Sequence, residues 1–183
     1  DSVRGFSERL IANATDAEGT NPSLETFLKN GFRVTGSGNT YNANGVEYVA
    51  WCWDAGDSLS PVSNSNGSIT STVKASTTNG FSIVSYTGTG ANATVGHGLS
   101  SPPDFIILRD RNNVNDWVVY HSALGNTHAL KLNSTNASFD EATVFNDTSP
   151  TSTTFSLGSA NLANNSSQAH IAYCWHDVTS KQK

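Results

Sequence analysis

The chain is 183 residues long, 65 of them Asn, Ser or Thr, with 10 Lys+Arg against 15 Asp+Glu, a net charge of -5 and no Met. So few long-chain helix formers exclude a helical bundle, and an acidic chain whose densest basic cluster is Lys181-Gln182-Lys183 has no electrostatic footprint for nucleic acid. No apolar run approaches the roughly 18 residues of a membrane span, yet a 36% hydrophobic fraction gathered into short runs is enough to pack a core.

In chain order, the first 56 residues supply about four β-type runs: Val3 to Ile11, Leu24 to Leu28, Gly31 to Val34 and Glu47 to Trp53. Leu24 to Leu28 reads equally as a helical turn. A Gly/Ser/Asn/Pro-rich stretch over 57–67 reads as a linker. Residues 68–178 then carry eight runs: Ser68 to Ala75, Phe81 to Tyr86, Asp104 to Arg109, Trp117 to His121, Ala129 to Leu132, Thr143 to Phe145, Thr154 to Leu157 and His170 to Trp175. Turn residues such as Asn79-Gly80 and Gly96-His97-Gly98 punctuate them, which predicts an antiparallel sandwich or jelly roll. Residues 179–183 read as a tail.

The chain repeats itself. Tyr48-Val-Ala-Trp-Cys-Trp-Asp54 recurs as Ile171-Ala-Tyr-Cys-Trp-His176, with Cys52 matching Cys174 and Trp53 matching Trp175, Asp1-Ser-Val-Arg-Gly5 as His121-Ser-Ala-Leu-Gly125, Leu10-x-x-Asn13-x-Thr15 as Leu130-x-x-Asn133-x-Thr135, and Phe32-Arg-Val34 as Phe155-Ser-Leu157, at offsets of 120 to 123. The sequence therefore reads as one and a half units. The expected fold is all-β, with tandem antiparallel β-sandwich or jelly-roll units, the first one (1–56) incomplete and the second (68–178) complete. Half a sandwich cannot cover its own apolar face, so either the natural chain extends upstream of Asp1 or another subunit donates the missing strands. The absent initiator Met fits the first option.

The segments Asp1-Ser-Val-Arg-Gly5, Asn13-Ala-Thr-Asp-Ala-Glu18, Tyr48-Val-Ala-Trp-Cys-Trp53, Gly80-Phe-Ser-Ile-Val-Ser-Tyr-Thr-Gly-Thr-Gly90, Ala93-Thr-Val-Gly-His-Gly-Leu99, Phe105-Ile-Ile-Leu108, Trp117-Val-Val-Tyr-His-Ser-Ala-Leu-Gly125 and Ile171-Ala-Tyr-Cys-Trp175 together cover almost the whole chain. In these the sequence resembles a repeated β-rich domain of unknown function found in tail-fibre-like and other virion structural proteins of marine bacteriophages of the cyanophage type. The resemblance implies a non-enzymatic virion protein, a tail fibre, appendage or capsid-surface element in contact with the host surface. Other virion proteins would be its partners, alone or in a homo-oligomer, with assembly in the bacterial host cytoplasm and an extracellular life in the free particle. It brings no catalytic or ligand-binding residue with it. In the usual pattern an apolar strand and a Lys-Asn-Arg-like loop precede the Asp-Ser-Val-Arg-Gly segment; only Arg109-Asp110-Arg111-Asn112 of the second unit matches that loop here.

The competing reading is a lectin-like, carbohydrate-binding module that recognises a cell-surface glycan. Its site would be an aromatic shelf, and Trp51, Trp53, Trp117 and Trp175 are the candidates, since a flat π-face pairs with pyranose C–H groups. The same residues read as core filling, because aromatic strands supply most of a core's buried area. Strand alternation sets Ala50 and Cys52, like Ala172 and Cys174, on one face, and Val49, Trp51 and Trp53, like Ile171, Tyr173 and Trp175, on the other. Both cysteines are then expected as buried free thiols, in keeping with a reducing compartment.

His97, His121, His128, His170 and His176 have no zinc-type spacing, and Asp104, Asp110, Asp116, Asp140 and Asp147 form no dense Asp-x-Asp loop for calcium. No metal or other cofactor is expected. Only five Glu are present, none echoed between the repeats as a glycosidase pair would be, and Gly96-His97-Gly98 lacks the serine of a nucleophile elbow. Catalysis is not expected. Eight Asn-x-Ser/Thr triplets, at Asn13, Asn66, Asn92, Asn133, Asn136, Asn146, Asn164 and Asn165, read as neutral hydrogen-bonding surface. Such a surface suits seawater, where charge attraction is screened within about 5 Å.

Overall fold

The structure is a computed structural model that describes residues 1–20, 23–28, 30–35, 41–56 and 60–178. In chain order its strands are β1 (Glu8–Arg9), β2 (Gly19–Thr20), β3 (Leu24–Leu28), β4 (Gly31–Val34), β5 (Val62–Asn64), β6 (Ser71–Ser76), β7 (Phe81–Thr87), β8 (Ala93–Gly96), β9 (Phe105–Asp110), β10 (Val118–His121), β11 (His128–Lys131), β12 (Phe139–Asp140), β13 (Thr154–Leu157) and β14 (Ala169–Trp175), with one-turn helices α1 (Ala142–Phe145) and α2 (Asn161–Asn164). The protein is all-β. Eight strands form one sheet in the order β12-β11-β10-β9-β14-β7-β6-β5, every neighbouring pair antiparallel. β5 falls within the stretch read as linker; residues 57–59 of that stretch, and the tail 179–183, lie outside the described residues.

β14 organises the sheet. It is hydrogen-bonded along its length to β7 on one side and β9 on the other, so its side chains must serve both faces. Ala172 and Cys174, both fully buried, point into the main core with Val84 and Tyr86 of β7 and Ile106 and Leu108 of β9. The second layer over that core is the β8/β13 pair with α1 and α2, which contribute Val95, Phe155, Leu157, Val144, Phe145 and Ala163. Small residues at 172 and 174 let this layer sit close to the sheet. Burial pushes the Cys174 thiol up to about 12, so it behaves as a small hydrophobe.

The loops that close this layer are tied by Asn164, itself fully buried. Its side-chain oxygen accepts the Thr89 N–H at 2.8 Å, and its amide donates to the carbonyls of Ala91 at 2.6 Å and Gly158 at 2.8 Å. Gly158 is forced by approach rather than by turn geometry, since a Cβ there would lie 2.2 Å from the Thr143 carbonyl.

The opposite face of the sheet is covered in part by the N-terminal residues. Val3, Leu10 and Ala55 pack on Phe81, Ile83 and Ile171, while Trp117 donates its indole N–H to the Ile11 carbonyl at 2.9 Å. Buried Arg109, its guanidinium 5.7 Å from the Trp117 ring centre, donates to the Thr15 and Asp16 carbonyls at 2.6 Å each. An ionic knot completes the attachment. Glu18 accepts from Arg4 and from Arg111 (2.6 Å to Nη2), and Asp1 accepts from Arg4 Nε at 2.6 Å and from the Tyr173 hydroxyl at 2.7 Å. Burial acts to raise the Glu18 carboxyl, but the hydrogen bonds from Arg111 and Arg4 outweigh it and hold the group below its ordinary value.

Three expectations are corrected. Thr143 to Phe145 is not a strand but part of α1, because Glu141 caps the turn by accepting the Thr143 N–H at 3.2 Å and Asn146 ends it in the left-handed region at φ 53°. The run Val3 to Ile11 is strand only at Glu8–Arg9, its start being a tight turn held by the Asp1 carboxylate. Glu47 to Trp53 forms no strand, and Cys52 within it is exposed rather than buried; the ladders that flank β14 have no counterpart beside it among the described residues. Leu24–Leu28, open to two readings, is a strand paired with β4.

Two buried histidines make the fold acid-sensitive. His97 accepts the Leu99 N–H on Nδ1 at 3.1 Å and meets the Thr151 carbonyl with Nε2 at 3.1 Å, which fixes it neutral with the proton on Nε2. Burial lowers its pKa below 6.5, and burial likewise lowers that of His170, which stacks on Tyr86. Their folded values lie below the unfolded one, so the unfolded chain takes up protons first. Their contribution to stability is therefore fully present above about pH 6.5 and is lost as pH drops below it, with a slope of at most about 1.4 kcal/mol per pH unit for each histidine. Urea midpoints measured from pH 8 to pH 5 are expected to decline below pH 6.5, and His97→Gln to flatten the decline; a flat wild-type profile across that range would refute the assignment.

Candidate functional site

Four aromatic side chains lie side by side across one end of the outer sheet face. The registers His121↔Phe105, Phe105↔Trp175 and Trp175↔Phe81 put them in one cross-strand row over β10, β9, β14 and β7. Ring centres are 5.9, 5.3 and 5.0 Å apart along the row. Trp53, arriving from the N-terminal segment, stands edge-on to Trp175 at 5.6 Å and tilted to Phe81 at 6.4 Å, and is 52% exposed. Trp53 thereby makes a wall to a floor of Phe105 and Trp175.

The resulting groove has a volume of about 560 Å³ and is also lined by Ile107, His121, Asp104, His176 and Asp177. Its polar rim is fixed by the backbone. Asp104 receives the Asp177 N–H on Oδ2 at 2.9 Å and donates its own N–H to the Trp175 carbonyl at 2.8 Å, which clips the exit of β14 to the entrance of β9. His121 Nδ1 accepts the Ala123 N–H at 3.1 Å, which fixes the imidazole at the far side. The arrangement offers an apolar floor, two carboxylates that accept hydroxyl hydrogens, and imidazole nitrogens beside them. That is the equipment for holding a neutral polyol with one apolar face.

The four tryptophans singled out from the sequence part company. Trp53 and Trp175 meet in the groove. Trp51 is 81% exposed on the preceding segment and touches no part of it, while Trp117 is buried under the N-terminal loop. Phe81, Phe105, His121, Asp104 and Asp177 were not marked by sequence reasoning as parts of one site. A signal was available: in an antiparallel meander the starts of alternate strands lie at the same end as the finishes of the others, and these residues stand at or beside such starts and finishes. Among the described residues no three His, Cys, Asp or Glu side chains are grouped so as to hold a metal ion, and no helix is long and apolar enough to cross a membrane.

Over residues 1–182 the chain matches the family of the domain of unknown function DUF7483, and it belongs to that family. No curated protein and no solved structure matches it.

Proposed function

We propose that this member of DUF7483 is a non-enzymatic structural and adhesive module of a bacteriophage virion, part of a tail fibre, appendage or capsid surface, that touches a host-surface glycan through the groove of Trp53, Phe105 and Trp175. The observation that carries the reading is an aromatic floor left open at the end of the sheet and rimmed by Asp104, Asp177 and His121. A core aromatic would be covered; Trp53 is half exposed and stands clear of the main core. The neutral Asn/Ser/Thr surface suits adhesion by hydrogen bonding and stacking. In this reading the lectin-like activity and the virion role are one function.

Tandem β-sandwich units, the first incomplete, belong to the same proposal. In support, the matched segments Asp1–Gly5 and His121–Gly125 share a side-chain cap and a terminal glycine: the Asp1 carboxylate accepts the Val3 N–H as His121 Nδ1 accepts the Ala123 N–H, and Gly5 and Gly125 take φ 98° and 82°. Other virion proteins, in a hetero- or homo-oligomer, would be the partners. A free, buried Cys174 is in keeping with assembly in a reducing bacterial cytoplasm.

The test is titration of the chain with a panel of neutral oligosaccharides. Binding is expected for at least one, weakened about tenfold or more in Trp53→Ala, equivalent to ~1.4 kcal/mol, and unchanged in Trp51→Ala. A panel with no binder, or a Trp53→Ala variant that binds as the parent does, would overturn the glycan reading. Labelling of intact particles by an antibody to the domain checks the virion placement.

A further inference from the structure

We infer that the glycan held in the groove carries a free amine, whose ammonium group sits beside Asp104 and Asp177 and against the aromatic faces of Trp53 and Trp175. This rests on the glycan reading above and names the class of sugar. The rim points to it by charge. Two carboxylates line the groove, and among the described residues no Lys or Arg does. Asp104 engages only Oδ2 inside the protein, on the Asp177 N–H, and the Asp177 carboxylate has no protein partner among the described residues. His121 adds no positive charge as bonded, because the Nδ1 that accepts the Ala123 N–H is unprotonated.

A neutral polyol meets these carboxylates with hydroxyl hydrogens alone, whereas an ammonium brings three N–H donors, no acceptor and the opposite charge. The aromatic groups favour the same guest. Trp53 stands at 73° to Trp175 with ring centres 5.6 Å apart, so the two indoles form a corner, and the electron-rich faces of such rings attract an ammonium. The corner is tied in place: Asp54, next to Trp53, accepts the Gly56 N–H at 2.8 Å and the Asn79 amide at 3.0 Å, which fastens the wall to the turn between β6 and β7. Two polar atoms of lining residues are buried without a partner, Trp175 Nε1 and His176 Nε2. His176 donates from Nδ1 to the Asp177 carbonyl at 2.9 Å, which leaves Nε2 as an acceptor, while the indole N–H is a donor. An amino sugar carries groups of both kinds. An ion pair in contact inside a groove is also screened far less by salt than exposed charges are.

Titration with a glucosamine trisaccharide and its fully N-acetylated counterpart, matched in linkage, tests this. At about pH 7, where the amine is largely protonated, the free-amine sugar is expected to bind about tenfold more tightly. Asp104→Asn keeps the shape of the side chain and an acceptor for the Asp177 N–H, and is expected to cut that ratio to about threefold or less. Asp116→Asn removes the same charge beyond the far end of β10 and is expected to leave the ratio at about tenfold. A ratio of about one, or a ratio that survives Asp104→Asn, overturns the amine assignment and leaves the glycan reading standing. A tri-lysine peptide that binds as tightly as the amino sugar overturns it as well, since the groove would then take any amine. Binding of neither glucosamine form while a neutral sugar binds overturns it alone; a panel in which no sugar binds overturns both readings.

Discussion

Glu18→Ala is expected to release the N-terminal residues from the outer face of the sheet, at a cost of about 3–5 kcal/mol in their docking. The magnitude follows from what is left behind. Arg4 and Arg111 side chains are 5% and 21% exposed, and Glu18 is the carboxylate they share. Removing it leaves Arg111 without its carboxylate and Arg4 with Asp1 alone in a poorly hydrated place, and the loss of an attractive pair is the smaller part of the cost. Because residues 1–20 rest on the sheet through Val3, Leu10, the hydrogen bonds from Trp117 and Arg109 and this knot, their outermost part is expected to detach before the sandwich unfolds. Trypsin should then cut at Arg4 and Arg9 in the folded variant, and the urea m-value should fall, since less surface remains to be exposed. Glu18→Ala combined with Arg111→Met should recover part of the loss, since Glu18 is the carboxylate that Arg111 bonds. Unchanged proteolysis and an unchanged urea curve would show that apolar contacts alone hold the segment.

Asn164→Ala is expected to lower the stability of the whole sandwich by about 2 kcal/mol. The buried Gly158 carbonyl and two partly buried groups, the Thr89 N–H and the Ala91 carbonyl, lose their partner together. Alanine fits the site without clash but leaves a small cavity, which adds to the loss of the polar network. A parallel shift of the urea midpoint at constant m is the expected result, and a loss below about 1 kcal/mol would mean that water replaces the amide. Asn164→Asp should do no better, since it sets a carboxylate against two carbonyl oxygens.

The same residue shows how much of the molecule was legible in the sequence. Asn164 is one of the eight Asn-x-Ser/Thr triplets read as surface, and it is fully buried. Composition describes the average Asn, whereas a buried amide is specified by loops that approach from residues 89, 91 and 158. Strands were legible where alternation or β-branching is local: Thr154–Leu157 is matched to the residue, and β14 to within one. The inward and outward sets of β14 were also legible, because a period of two needs no knowledge of neighbours. Thr143 to Phe145 was not, since four residues are too few to display a helical period and the deciding signals are its caps. Cys52 was misplaced for a different reason: its burial depends on partner strands, and sequence similarity to β14 carries the pattern of a strand without carrying its ladders. The groove lay out of reach because register, which joins Phe81, Trp175, Phe105 and His121 in one row, is a relation between strands.

The two rims of the main sheet are β12, of two residues, and β5, of three. Short rims offer a stranger's strand almost nothing to pair with. In an array of near-identical domains, each neighbour is an ideal template for every other, and lateral zippering of open edges is the characteristic failure of such arrays. Here the sides are closed to that error. A domain of this kind can therefore lie beside another without the two sheets merging edge to edge.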